Sequence, residues 1–167
     1  MNNTISKKVT VDLNRQHLWK IISAPGQLNL FHPFCRNNEV LKWDKEKSID
    51  FIEYYNKKVL KRKFFDWEEE VGYKLIINDL KKDIAEVHWN LHHPRNSKID
   101  LSITVQILDT AFKRFPNTIN KIILRTYVLP KLGAYLDSVL YGIKYFSETG
   151  NKVSKNQFGY NSMFSSR

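Results

Sequence analysis

From Trp43 to Leu108 the chain reads as an unbroken succession of strands. The amphipathic helical pattern that follows, through Leu129, Leu132, Leu136, Leu140 and Ile143, is its last element. A long antiparallel meander followed by one terminal helix leaves one sheet face to cover and one helix to cover it, and that geometry tends to enclose a cavity. The order of elements, more than any single residue, therefore predicts a container for a small molecule.

Composition narrows the surroundings. At 167 residues, 42% hydrophobic and 26% charged, the chain suits one core and a globular state. Apolar runs such as Tyr127-Val128-Leu129 are far too short to span a bilayer. The stretch Met1 to Lys7 has neither the apolar segment nor the cleavage site of a signal peptide, so a cytoplasmic location is expected. Cys35, the single cysteine, allows no internal disulfide, which fits a reducing compartment. The net charge of +10 raises the question of a polyanionic partner, because phosphate neutralisation supplies most non-specific nucleic-acid affinity. Twenty of the 27 basic residues are Lys, however, and they are scattered, with Lys57-Lys58 and Lys61-Arg62-Lys63 the only notable cluster. A solvated surface explains this pattern better, and nucleic acid is not the expected partner.

Along the chain, Ile5 to Leu13 alternates as a half-buried strand. Asn14 offers an N-cap to a short helix from Arg15 to Ile22, and a second is expected from about Pro25 to Phe31. A second strand is expected from Asn38 to Trp43. For the next hairpin, a two-residue turn at Asn56-Lys57 sets Tyr55 opposite Lys58, Glu53 opposite Leu60 and Phe51 opposite Arg62. Opposed residues share a face. Phe51, Glu53, Tyr55, Leu60, Arg62 and Phe64 are then expected to point inward, leaving Asp50 and Ile52 outside. Tyr73, Leu75 and Ile77 continue the inward row, followed by Val87, Trp89 and Leu91, with His88, Asn90 and His92 opposite. A turn at Pro94 to Ser97 leads to the cleanest alternation, Ile99 to Ile107. A polar connection with Pro116 precedes helical spacing from Thr118 to Leu129. Pro130 must kink or restart that helix, and Gly150 stops it. Residues 1–150 are expected to form one domain. The tail 151–167 is polar, with Phe158, Tyr160 and Phe164 as anchors.

One strand, two short helices, six further antiparallel strands and a long terminal helix resemble the helix-grip fold of the START-like superfamily, also called SRPBCC or birch-pollen-allergen-like. The likeness is carried by Val9 to Trp19, Phe31 to Val40, Tyr54-Tyr55-Asn56, and Tyr135 to Gly142 with Glu148-Thr149-Gly150 and Asn156 to Gly159. The last two blocks are similar to the ending of a bacterial branch grouped with polyketide cyclases and lipid-transfer proteins. The resemblance implies an α+β domain, a seven-stranded antiparallel sheet wrapped around a long C-terminal helix, and a hydrophobic pocket. It leaves the chemistry open. It also places His32 near the pocket entrance.

The expected ligand-binding set is His32, Phe51, Glu53, Tyr55, Arg62, Phe64, Tyr73, Trp89, Leu136 and Leu140. By the hairpin register, Glu53 and Arg62 come within reach of a charge-assisted hydrogen bond on the inner face, as a polar handle for a ligand or as a structural ion pair. Aromatic rings either line the site or fill the core. His88 and His92 lie about 13 Å apart on one strand face, too far for one ion, so no metal is expected, and no motif calls for a cofactor. The expected function is binding or transport of a lipid, isoprenoid or aromatic molecule. One alternative is a cyclase or aromatase with Glu53 and Tyr55 as acid–base groups and Arg62 stabilising an enolate. A nucleic-acid-associated protein using the basic surface is the other.

Overall fold

The computed structural model describes residues 3–92, 98–112 and 117–167; the expected turn at Pro94 to Ser97 and Pro116 lie outside them. Seven antiparallel strands form one sheet in the order β1-β7-β6-β5-β4-β3-β2. They are β1 (Thr4–Val11), β2 (Cys35–Lys42), β3 (Ile49–Tyr54), β4 (Val59–Glu68), β5 (Gly72–Asn78), β6 (Asp83–His92) and β7 (Ile99–Ile107). The helices are α1 (Arg15–Ile22), α2 (Leu28–Phe31), α3 (Asn117–Ile123) and α4 (Leu129–Thr149). The first and second helices follow β1, and the long α4 lies across the concave face of the sheet, so the α+β helix-grip architecture is the one expected. No helix of the described residues is long and apolar enough to cross a membrane.

Local chemistry accounts for the boundaries. The Asn14 side chain accepts the His17 N–H at 2.8 Å and starts α1. The second helix begins at Leu28 rather than near Pro25, because Gly26 takes φ +70° and breaks the helical path. At the other end of the chain, α3 passes through a π-helical turn, Leu124–Val128, into α4, with Pro130 in the first turn of α4. The wider turn accommodates the missing proline N–H, so the expected restart at Pro130 takes the form of a π-bulge in a continuing helix. Gly150 at φ +72° ends α4, its N–H donating to Phe146 O at 2.8 Å.

The β3–β4 hairpin departs from expectation by one residue. Tyr54 and Lys58 close the loop, with Tyr54 N donating to Lys58 O at 2.8 Å and Lys57 N to Tyr54 O at 2.9 Å. The loop is therefore three residues long, Tyr55-Asn56-Lys57, and Lys57 takes φ +67° as the left-handed residue that such loops need. Glu53 pairs with Val59, Ile52 with Leu60 and Asp50 with Arg62. Every side chain of β3 is thus turned over: Asp50, Ile52 and Tyr54 face inward and are buried, while Phe51, Glu53 and Tyr55 are not. On β4 the expected Leu60, Arg62 and Phe64 do face in and are buried.

Candidate functional site

A cavity of about 440 Å³ lies between the concave sheet face and α4. Leu60 and Arg62 of β4, Leu75 and Ile77 of β5, Val87 and Trp89 of β6, and Ile103 and Val105 of β7 form its floor. Leu132, Tyr135, Leu136 and Val139 of α4 roof it, and Met163 and Phe164 of the C-terminal tail close one side. Its walls are mainly aliphatic because five strands present their alternating inner residues to a single helix, which cannot fill the concavity.

Three of the ten expected binding residues line this space: Arg62, Trp89 and Leu136. The other seven fall into four groups. Phe51, Glu53 and Tyr55 face away, the consequence of the hairpin register. Glu53 pairs with Arg36 at 3.1 Å, Lys61 stands over Phe51, and Lys155 over Tyr55. The expected Glu53–Arg62 handle does not form. Phe64 and Tyr73 belong to a packed aromatic cluster instead of the cavity wall. Phe64 meets Trp43 at 5.1 Å, Tyr73 stacks on Trp67 at 5.2 Å and on Trp89 at 5.7 Å, and the Tyr73 hydroxyl donates to Ile22 O. Leu140 is packed in the core at 1% exposure. His32 sits behind the wall, buried rather than at an entrance, and reaches the cavity through Tyr135.

Arg62 finds its partner in Asp50. Arg62 Nε donates to Asp50 Oδ1 at 2.7 Å, and Nη2 donates to Oδ2. Asp50 is wholly buried, and Asn38 Nδ2 donates to its Oδ2 at 3.0 Å. Burial works against the Arg62 charge, but the Asp50 carboxylate outweighs it and holds the guanidinium protonated. The guanidinium also lies over the Phe64 ring, 5.1 Å from its centroid.

Beside this pair runs a row of hydroxyls. Tyr54 Oη is 3.1 Å from Tyr135 Oη, which is 2.9 Å from His32 Nε2, and His32 Nδ1 accepts the Phe34 N–H at 3.2 Å. Burial, and next the positive charge of Arg62, lower the His32 pKa to about 3, so its imidazole is neutral. Burial likewise raises both phenols above their ordinary range. Phe164 packs on the same two rings, 4.7 Å from Tyr54 and 4.3 Å from Tyr135. Asp50, Tyr54, Tyr135 and Met163 stand outside the expected ligand-binding set, as does Phe164, which the sequence marks only as an anchor of the tail. The first two were hidden by the hairpin register alone, whereas the tail residues carried no periodic signal.

No family model matches the sequence, and no curated protein matches it. Solved structures do. DynU16, a protein of the dynemicin biosynthetic locus, aligns over 96% of this chain with a TM-score of 0.67 at 11% identity. The chain spans about half of DynU16, 51% of its length. The Aha1 dimer from Colwellia psychrerythraea aligns over 88% of this chain and 97% of its own, with a TM-score of 0.60 at 8% identity. Ara h 8.0201 aligns over 87% and 97%, with a TM-score of 0.57 at 10% identity. The chain has the START-like helix-grip fold. At these identities the START-like likeness speaks for the fold alone, and the cavity must speak for the function.

Proposed function

We propose that this START-like protein binds a hydrophobic or amphipathic small molecule in the internal cavity, as a carrier or receptor. The observation that supports this most is the pairing of an apolar space of about 440 Å³ with a few polar side chains in its wall, Arg62, Tyr54 and Tyr135 among them. That volume falls within the ~300–1,000 Å³ of small-molecule pockets, which are mostly apolar with a few convergent polar groups. An enzyme of the cyclase kind would have to draw on Arg62 and the two phenols, because Glu53 and Tyr55 face away from the space. No such chemistry is needed to explain the cavity.

Native mass spectrometry of protein purified from its source cells, followed by solvent extraction, tests the reading. The expected result is a retained apolar or amphipathic compound that is lost on denaturation. A protein that carries nothing, and that also fails to bind the neutral dye N-phenyl-1-naphthylamine, would sink it.

A further inference from the structure

The protons of the His32–Tyr135–Tyr54 row can be counted. The Phe34 N–H donates to His32 Nδ1, so the single hydrogen of the neutral ring is on Nε2. That hydrogen is donated to Tyr135 Oη. The remaining contact, Tyr135 Oη to Tyr54 Oη, takes one phenol hydrogen, whichever tyrosine supplies it. Three hydrogens thus serve two hydrogen bonds, and one phenol O–H is always left over. Among the described residues nothing else accepts it, and both tyrosines line the cavity. A buried hydroxyl hydrogen without an acceptor is unfavourable, so this one points at whatever fills the space.

Arg62 adds to the same polarity. Its Nε and Nη2 are bonded to Asp50, while Nη1 has no acceptor among the described residues, and the side chain lines the cavity. The Asp50 oxygens are both occupied, Oδ2 twice over, and the carboxylate cancels the guanidinium charge. This part of the wall therefore has hydrogen-bond donors left over for a ligand and carries no net charge.

We infer that the cavity recognises a neutral carbonyl oxygen, as in a ketone, ester or quinone, on an otherwise apolar molecule. The left-over phenol hydrogen and Arg62 Nη1 are its donors. This rests on the reading of the cavity as a ligand site. A carboxylate would be buried beside Asp50 without a net positive charge to hold it. Lys58 also lines the cavity, but its side chain is exposed and its ammonium lies over the Phe164 ring, 5.0 Å from the centroid, so a carboxylate held there would remain in water at the rim.

Three naphthalene probes separate these cases by fluorescence titration. They are 6-propionyl-2-(dimethylamino)naphthalene, its analogue with propyl in place of propionyl, and 6-(dimethylamino)-2-naphthoate. The ketone is expected to bind about tenfold more weakly to Tyr54→Phe/Tyr135→Phe than to the unaltered protein, the equivalent of one strong hydrogen bond, while the propyl analogue changes less than about twofold. The naphthoate is expected to bind more weakly than the ketone. In the unaltered protein the bound ketone should emit at longer wavelength than in aprotic solvent, a readout that needs no variant. If the ketone shows aprotic emission, or the two phenols make no difference to it, or the naphthoate binds as tightly, the carbonyl assignment is overturned while the cavity remains a ligand site. If no probe binds, both readings fall.

Discussion

Asp50 and Arg62 are direct partners across β3 and β4, and their side chains meet at two points on the inner face, where Asp50 is inaccessible to water. Neither charge tolerates the loss of the other. Asp50→Ala leaves a guanidinium buried without its counter-charge, and the expected cost is about 3–5 kcal/mol in urea denaturation. Replacing the pair together, Asp50→Leu with Arg62→Met, should recover most of that loss, since well-packed apolar residues often match a buried ion pair. A double variant no more stable than Asp50→Ala would show that the pair holds the hairpin in a way packing cannot replace.

His32 gives the fold a specific sensitivity to acid. Its pKa is about 3 in the folded protein and near 6.5 when exposed, so between these values the unfolded chain binds a proton that the folded chain does not. Stability from this group is therefore complete above about pH 6.5 and declines as pH falls, by up to roughly 1.4 kcal/mol per pH unit down to about pH 3. His32→Gln cannot take up that proton. The difference in stability between the unaltered protein and this variant should shrink as pH is lowered from 7 to 4, measured by urea titration at each pH. A difference independent of pH would mean that His32 is not held neutral.

How much of this was legible in the sequence depended on how far each side chain's direction was fixed by its own strand. The alternation of Ile99, Leu101, Ile103 and Val105 contains its own facing, and so does the row Leu60, Arg62, Phe64. Those inner residues were readable. On β3, both Phe51-Glu53-Tyr55 and Asp50-Ile52-Tyr54 are credible inner rows, and only the loop decides between them. The choice between a two-residue and a three-residue loop at Asn56-Lys57 turned Asp50 in and Glu53 out. Phe164 lay beyond the reach of periodicity, because its place is set by contacts between distant segments, whereas Tyr135 stands at helical spacing from Leu132 and Val139 on the same face of α4. Glu53→Gln accordingly should leave probe binding unchanged and cost at most about 1 kcal/mol, the value of an exposed ion pair.

The tail is expected to govern exchange with the cavity. Asn56 Nδ2 holds Met163 O at 2.9 Å and Asn161 Nδ2 holds Lys131 O at 2.8 Å, so residues 161–163 bridge the β3–β4 loop and α4. Phe164 then seals the side against Tyr54 and Tyr135. Phe164→Ala should lower stability towards the lower end of the ~3–5 kcal/mol typical of a buried Phe. It should also speed the dissociation of N-phenyl-1-naphthylamine severalfold in stopped-flow displacement. Lost stability with an unchanged dissociation rate would place the route of exchange elsewhere.

Gly142 fixes how closely α2 approaches α4, and through it the position of His32. A Cβ at residue 142 would lie 2.1 Å from Phe31 O, the carbonyl that ends α2 immediately before His32. That oxygen is backbone and cannot rotate aside, so Gly142→Ala must push the two helices apart. Gly150 presents the opposite case, with open space around the absent side chain and only its φ of +72° to disfavour a substitution. Gly150→Ala is expected to cost about 1 kcal/mol of backbone strain. Gly142→Ala should cost at least twice as much and should also weaken the His32–Tyr135 hydrogen bond, visible as a rise in the His32 pKa followed by NMR. Equal losses in thermal denaturation for the two alanine variants, with no change at His32, would show that the α2–α4 contact yields without disturbing the hydroxyl row.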